Sequence, residues 1–486
     1  MSYILCNMKE RVKIIFGLAL LVLISCGQPA DKVHREKLEE LTSGGEFSSA
    51  EQLIDSLKQS GRADPVLVEK MDSLLDMMHR IRLDFDLNED QVKEQLSRYF
   101  PGVDDSMITR WEQAGKLEMR PIDGEKRYFG KAVPNLFRLD TVAARRKTAT
   151  EGEQVDSLDL FCLEHTEKII QESKVSSDPV LPVDMILTYT VRLKPDAVPD
   201  GKMVRCWMPF PREGDPRQKN VHLLSSDPDS AVIAPESYLQ RTVYLTKAAV
   251  KDQSTVFQIR FSVETSGQYF DLKPEDMKPY DTGSSLFKKY TAERPPQIVF
   301  TPQIKQLASQ ITGDETNPLR KVEKIYQWIN DSIPWASALE YCTMPQIPGY
   351  VLKNRHGDCG MQTLLFMSMA RSQGIPVKWQ SGWMLHPGHV NLHDWCEVYY
   401  EGIGWVPLDQ SFKLQHSPDR KLREFYVHGI DSYRLIVNDD YGQKLYPPKK
   451  FMRSEPYDFQ RGELEWAGGN LYFDQWSWHM DVERRR

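Results

Sequence analysis

The sequence predicts an α+β, multidomain protein: a helical N-terminal region, an antiparallel β-sandwich, and an α+β core after it. Three observations carry this. Apolar residues recur at helical spacing through residues 31–83, the period switches to two from about residue 183, and a continuous apolar run follows residue 360 before more strands. With 486 residues, 40% apolar and 27% charged, the chain is long enough for several domains of roughly 100–200 residues and too apolar for global disorder. The 62 basic and 69 acidic residues leave a net charge of −7, so the basic footprint expected of a nucleic-acid binder is missing. Seven cysteines are too few for a disulfide scaffold. Nine of the eleven tryptophans lie between Trp328 and Trp478, which places the aromatic core or groove in the second half.

Residues 1–25 read as an export signal. Lys9, Arg11 and Lys13 precede an apolar run over 14–24, and Leu23-Ile24-Ser25-Cys26 follows. The run is shorter than the about 20 residues of a membrane-spanning helix. This ending resembles the bacterial lipoprotein lipobox. The resemblance implies cleavage before Cys26, lipidation of Cys26, and a place in the cell envelope, lipid-anchored to a bacterial membrane facing the periplasm or the outside. Beyond the anchor stand Cys162, Cys206, Cys342, Cys359 and Cys396. That number is odd, so at least one is free or pairs between molecules. Cys342 with Cys396 is one pairing the sequence allows.

Residues 26–85 are a helical region. Gly44-Gly45 breaks it, and Ala50, Leu53, Ile54 and Leu57 then share one face. Residues 86–140 form a winged-helix-like module. Asn88 with Gln91 has capping-box spacing, Asp104 or Asp105 starts a second helix, and two alternating runs flank Asp123-Gly124, a hairpin turn. In an acidic, exported chain such a module packs or contacts protein rather than DNA. Residues 141–182 are polar and weakly periodic, a linker holding one helix. Residues 183–265 are the β-sandwich: Leu187, Tyr189, Val191 and Leu193 lie on one face, as do Phe257, Ile259, Phe261 and Val263. Residues 266–412 carry the chemistry. Residues 413–486 hold Phe425, Tyr426, Trp466, Tyr472 and Trp476, too many apolar groups for water, so they form an extension packed on that core.

The run over 361–370 is apolar almost all round and stops at Gly374-Ile375-Pro376, which marks a buried central helix. Cys359 stands at its N-terminus, where exposed N–H groups and the helix dipole favour a thiolate. His393 lies on a predicted strand, and Asp409 ends the next one after a turn at 401–404. If Tyr400 pairs with Gly404, His393 and Asp409 are diagonal neighbours on one face. A shift of one residue would put them on opposite faces. A thiol, an imidazole and an orienting carboxylate are a nucleophile–base–orienter set.

Gly357-Asp358-Cys359, the buried helix, Gly-Ile-Pro, the run from His393 to Tyr400, and Gly404-Trp405-Val406-Pro407-Leu408-Asp409 together resemble the core of the transglutaminase-like superfamily over about 300–412. The resemblance implies a papain-like fold, with Cys359 as nucleophile, His393 as base and Asp409 as orienter. It also implies an oxyanion held partly by the Cys359 N–H, with Trp335 and Gln346 as candidates for the second donor. Gly360 stands where eukaryotic protein-crosslinking members usually have tryptophan, which weighs against crosslinking.

The expected reaction is cleavage or transfer of an amide acyl group on a protein or peptide, by a cysteine peptidase or amidase. A protein-glutamine gamma-glutamyltransferase and a non-catalytic cell-envelope scaffold are the alternatives. His386, His389 and His393 stand close enough in sequence to suggest zinc, but His393 is already assigned, so no metal is expected. No phosphate loop or dinucleotide fingerprint is present, and no cofactor is expected. Trp379, Trp383 and Trp395 are substrate-groove candidates; most residues of that kind belong to the core.

Overall fold

The computed structural model describes residues 30–61, 63–153, 155–174 and 177–485. The export signal and Cys26 lie outside them. The described chain forms two compact units. One holds the residues up to Gln91 together with Met119–Gly130; the other holds Val92–Glu118 and everything from Lys131 onward.

The first unit is built on α1 (Ala30–Gly44), α2 (Phe47–Ser60) and α3 (Pro65–Asp84). Asp64 caps α3 by accepting from Leu67 N at 2.6 Å, with Pro65 in the first turn. Phe47, Ala50 and Ile54 of α2 and Leu67, Met71, Leu74 and Met78 of α3 are buried. Helix α4 (Glu89–Ser97) opens with a reciprocal cap. Asn88 Oδ1 accepts from Gln91 N at 2.9 Å, and Gln91 Oε1 accepts from Asn88 N at 2.8 Å. Strands β1 (Met119–Ile122) and β2 (Glu125–Tyr128) pair around Asp123-Gly124, both at positive φ, as a two-residue hairpin demands. The Asp123 carboxylate accepts from Ser48 N at 2.7 Å and pairs with Arg82 at 3.2 Å.

In the second unit, α5 (Asp105–Gln113), α6 (Ala132–Leu139), α7 (Thr141–Glu151) and α8 (Ser157–Glu172) come first. Two expectations are corrected here. The elements of the winged-helix-like module form, but they divide between the two units, so 86–140 is no module of its own. Residues 141–182 are not a linker. Asp140 and Asp156 cap α7 and α8, and α8 buries Cys162, Thr166 and Ile169 at helical spacing.

The sandwich comprises β3 (Val180–Leu193), β4 (Met203–Pro209), β5 (Gln218–Asp227), β6 (Val232–Ile233), β7 (Thr242–Ala248) and β8 (Thr255–Tyr269). Strands β3 and β8 run antiparallel with Leu187 opposite Phe261 and Val191 opposite Phe257, so the apolar faces align. Then follow α9 (Ser285–Thr291), α10 (Pro302–Thr312), α11 (Pro318–Ser332), α12 (Ile347–Asn354) and α13 (Cys359–Ser372). Residues 360–371 of α13 are all buried, and Gly374, at φ 77°, ends it.

Strands β9 (Val377–His386), β10 (His389–Tyr400) and β11 (Gly404–Leu408) form a meander. After it come α14 (Arg420–Arg423), α15 (Phe425–His428), β12 (Gly429–Ile430), β13 (Arg434–Asn438), β14 (Glu463–Trp466), β15 (Gly469–Leu471) and β16 (Trp476–Arg484). Among the described residues the sheet orders are β11-β10-β9-β13, β12-β8-β3-β16 with β5 beside β8, and β15-β14-β4-β7-β6. The C-terminal segment is therefore more than an extension packed on the core. It edges the meander with β13 and completes both sandwich sheets. The first half of β9 (Val377, Trp379) packs with α13, and its second half (Trp383, Leu385) enters the sandwich core.

Candidate active site

Strands β10 and β11 pair with Tyr400 opposite Gly404 and Cys396 opposite Leu408, the register that places His393 and Asp409 on one face. His393 Nε2 lies 2.7 Å from Asp409 Oδ2, and both side chains are buried. Asp409 Oδ1 accepts from Ser411 N at 3.1 Å, Ser411 Oγ at 3.2 Å and Phe412 N at 3.3 Å. Tyr326 Oη donates to the Asp409 carbonyl at 2.8 Å and fixes the backbone. Burial alone would push the Asp409 carboxyl up; His393 and Arg434 outweigh it and hold the group below its ordinary value.

Cys359 starts α13 and is half-buried. Cys359 and His393 line the same cleft, of about 700 Å³, with Trp335, Arg138, Phe412 and Tyr426. The thiol donates to Asp394 Oδ2 at 3.4 Å. This corrects the expectation of a thiol activated by its helix alone. Burial pushes the Cys359 pKa well above its ordinary value, and the carboxyls of Asp394 and Asp358 push the same way. Both effects favour the thiol over the thiolate.

Position 360, next to Cys359, has no room for a side chain. A Cβ there would stand 2.3 Å from Tyr341 Oη and 2.7 Å from Asp394 Oδ2. Tyr341 donates to Asp358 Oδ1, which also caps α13 by accepting from Met361 N at 3.1 Å. Burial pushes the Asp358 carboxyl up to about 6, against the pull of those two hydrogen bonds. An acid raised in the folded state costs stability while ionised, and the cost disappears as pH falls below its unfolded value near 3.8. Asparagine keeps the cap. Asp358→Asn is therefore expected to raise the thermal unfolding midpoint at about pH 8 and leave it unchanged at about pH 4.

Other expectations do not survive. Gln346 Oε1 accepts from Gly349 N at 2.6 Å and caps α12, and Gln346 lines neither cavity at Cys359. Trp335 remains at the cleft, with the Arg138 guanidinium 4.3 Å from its ring. Trp379, Trp383 and Trp395 are all 0% exposed, so none walls a groove. Their indole N–H groups go to Ser381 Oγ, the Gln460 carbonyl and Gln380 Oε1. Buried indoles need such partners, and the strand interior supplies them. Cys342 and Cys396 do not form a disulfide; Cys396 Sγ accepts from Gln410 and Cys342 Sγ lies 3.4 Å from Tyr472 Oη.

The three histidines do not converge: His389 meets Ser157 Oγ at 2.8 Å, His386 meets Asp431 at 3.1 Å, and His393 meets Asp409. A different trio, Cys162, His386 and Asp431, brings its ligand atoms within 4.8 Å of one another. The Arg434 guanidinium already sits 2.9 Å from Asp431 and 3.1 Å from His386 Nε2, so a cation there would meet a fixed positive charge.

The sequence reading missed Arg434, Asp394 and Gln460. Arg434 Nη2 lies 3.1 Å from Asp409 Oδ2. Gln460 Nε2 donates to the His393 carbonyl at 2.8 Å and to Asp394 Oδ1 at 2.7 Å. One signal was present: Arg434 heads the apolar run 435–437, an unusual place for a charge without a buried partner.

Residues 305–410 match the family model described as Transglutaminase-like superfamily. An uncharacterized protein of Haemophilus influenzae is 24% identical over 245 residues, spanning 44% of this chain and 66% of that protein. The uncharacterized protein YebA of Bacillus subtilis is 22% identical over 126 residues, 22% of this chain and 17% of that protein. The chain thus spans less than two thirds of either relative's length. Among solved structures, a "putative cysteine protease" from Cytophaga hutchinsonii aligns at TM-score 0.43 and 14% identity, over 63% of this chain and 91% of that one. The periplasmic domain of TgpA from Pseudomonas aeruginosa aligns at TM-score 0.23 and 14% identity, over 49% and 91%. Residues 305–410, the segment that matches the transglutaminase-like superfamily model, contain Cys359, His393 and Asp409.

Proposed function

We propose that the protein is a thiol-dependent peptidase or amidase, with Cys359 as nucleophile, His393 as base and then acid, and Asp409 as orienter. The observation that carries this reading is the 2.7 Å contact of His393 Nε2 with Asp409 beside a cleft that also holds Cys359. With Nε2–H committed to Asp409, the other ring nitrogen is the one that accepts the thiol proton. The Cys359 sulfur attacks the amide carbon, the carbon–nitrogen bond breaks, and the amine leaves with the proton from His393. Water then attacks the thioester, gives a proton to His393, and releases the carboxylic acid and the thiol. In this reading the N–H at the start of α13 and Trp335, which lines the cleft, steady the oxyanion. The substrate is a protein or peptide. Export and a lipid anchor on Cys26 complete the proposal; among the described residues, no helix is long and apolar enough to cross a membrane.

A second reading, transfer to an amine instead of water, has one observation in its favour. A recess of about 230 Å³ shares Cys359 as a wall and is lined by Glu340, Asp394, Glu455 and Asp458 against Arg461. Such a wall attracts a primary ammonium, which gives up a proton before its nitrogen attacks the thioester.

The test is mass spectrometry of a peptide and protein pool incubated with the protein, a labelled primary amine and reductant, with Cys359→Ala as control. New termini that require Cys359 are the expected products, and amine adducts would move the assignment to transfer. The N-terminal peptide from membrane-extracted protein is expected to carry lipid on Cys26. A pool without any Cys359-dependent product would favour the non-catalytic scaffold.

A further inference from the structure

We infer that Arg434, contributed by β13 from outside the superfamily segment, is a positioning residue that holds Asp409 against His393. The inference rests on the proposed roles of His393 and Asp409. Arg434 pairs in register with Met384 of β9, and its side chain is 1% exposed. One prong, Nη2, lies 3.1 Å from Asp409 Oδ2, the oxygen that also meets His393. The other, Nη1, lies 2.9 Å from Asp431 Oδ2. The guanidinium stacks over Phe412 at 3.9 Å. With Oδ1 held by the backbone at 411 and 412, Arg434 leaves Asp409 no freedom to rotate away from His393.

The arrangement beyond Arg434 repeats the one before it. Asp431 faces His386 at 3.1 Å and accepts from Tyr426 Oη at 2.9 Å. One guanidinium thus joins two buried carboxylate–histidine pairs. The groups packed around this network are His386 on β9, His393 on β10, Tyr426 on α15, Cys162 and His165 on α8, and Asp431 before β13. Burial would raise both carboxyls; Arg434 with His386 outweighs it at Asp431, and His393 with Arg434 does so at Asp409. Lysine keeps the charge but cannot fork between two carboxylates.

The test is the imidazole N–H resonance of His393 in the full chain, the downfield signal of a proton held by a carboxylate, followed by NMR with ¹⁵N-labelled histidine and assigned by the resonance lost in His393→Ala. Arg434→Gln is expected to lose that resonance, since Asp409 can then turn away from His393. Arg434→Lys, which cannot fork between Asp409 and Asp431, is expected to weaken it. A merely structural Arg434 would lower the unfolding temperature of the variants and leave the resonance in place, and that result overturns the inference. Should Arg434→Gln not fold, Arg434→Lys decides it: an unchanged resonance overturns the inference. The resonance needs neither substrate nor thiol, so an inactive protein that loses it in Arg434→Gln would refute the proposed activity and leave this inference standing.

Discussion

Asp409→Asn is expected to lower Cys359-dependent turnover by about 10,000-fold, the scale seen when a triad carboxylate becomes an amide and the histidine is held in the wrong tautomer. The surroundings of Asp409 make the substitution harsher than its size suggests. Oδ2 faces His393 and Arg434, and Oδ1 faces Ser411 N, Ser411 Oγ and Phe412 N. Nearly every neighbour donates, so the asparagine NH₂ meets donors whichever way the amide is turned. The variant should therefore also lose stability, and the loss has a pH signature. Asp409 is held below its ordinary value, so its stabilising contribution is complete above the unfolded value of 3.8 and fades as pH falls through the folded one. Unfolding curves for the two proteins are expected to differ most at neutral pH and to converge in strong acid. Full turnover in Asp409→Asn, measured on the products that require Cys359, would remove Asp409 from the mechanism.

Gly382→Ala is expected to cost about 3 kcal/mol of stability, at the upper end for overpacking a filled interior. Gly382 sits in the centre of β9, with His393 of β10 on one side and Ile436 of β13 on the other. A Cβ there would stand 2.0 Å from the Leu435 carbonyl oxygen and 2.9 Å from Val437 N. Those are backbone atoms, so no side-chain rotation relieves the clash. Strand β13 must move instead, and it carries Arg434. Denaturant unfolding measures the stability, and the His393 imidazole N–H resonance shows whether the site moved with the strand. A variant as stable as the parent would mean that β13 is not held against β9 as described.

How much of the site was legible depended on how local its cause was. The start of α13 at Cys359, its buried run and the stop at Gly374 are each set by residues a turn apart, and all three read correctly. The turn before Gly404 sets the β10–β11 register, and with it the contact of His393 with Asp409. The tryptophans were ambiguous because alternation in a strand does not say whether either face is open; here both faces of the sheet are covered. The helix-start argument for a reactive thiol was sound for a helix alone. It missed Asp394, which lies 35 residues away in sequence and 3.4 Å away in space.

The same division holds for the whole chain. Period, caps and turns, all short-range effects of backbone geometry, are enough to write down the helices of the first unit, the alternating strands of the sandwich, and the order of cysteine, histidine and aspartate. They say nothing of which distant strand closes a sheet. Strand β16 pairs with β3 across nearly the whole second unit, β14 pairs with β4, and β13 pairs with β9. Each pairing is chosen by packing and backbone complementarity between segments with no local signal for one another. The guanidinium of Arg434 beside Asp409 follows from one such choice. Its charge is stable there only because two buried carboxylates, themselves from different segments, arrive at the same place.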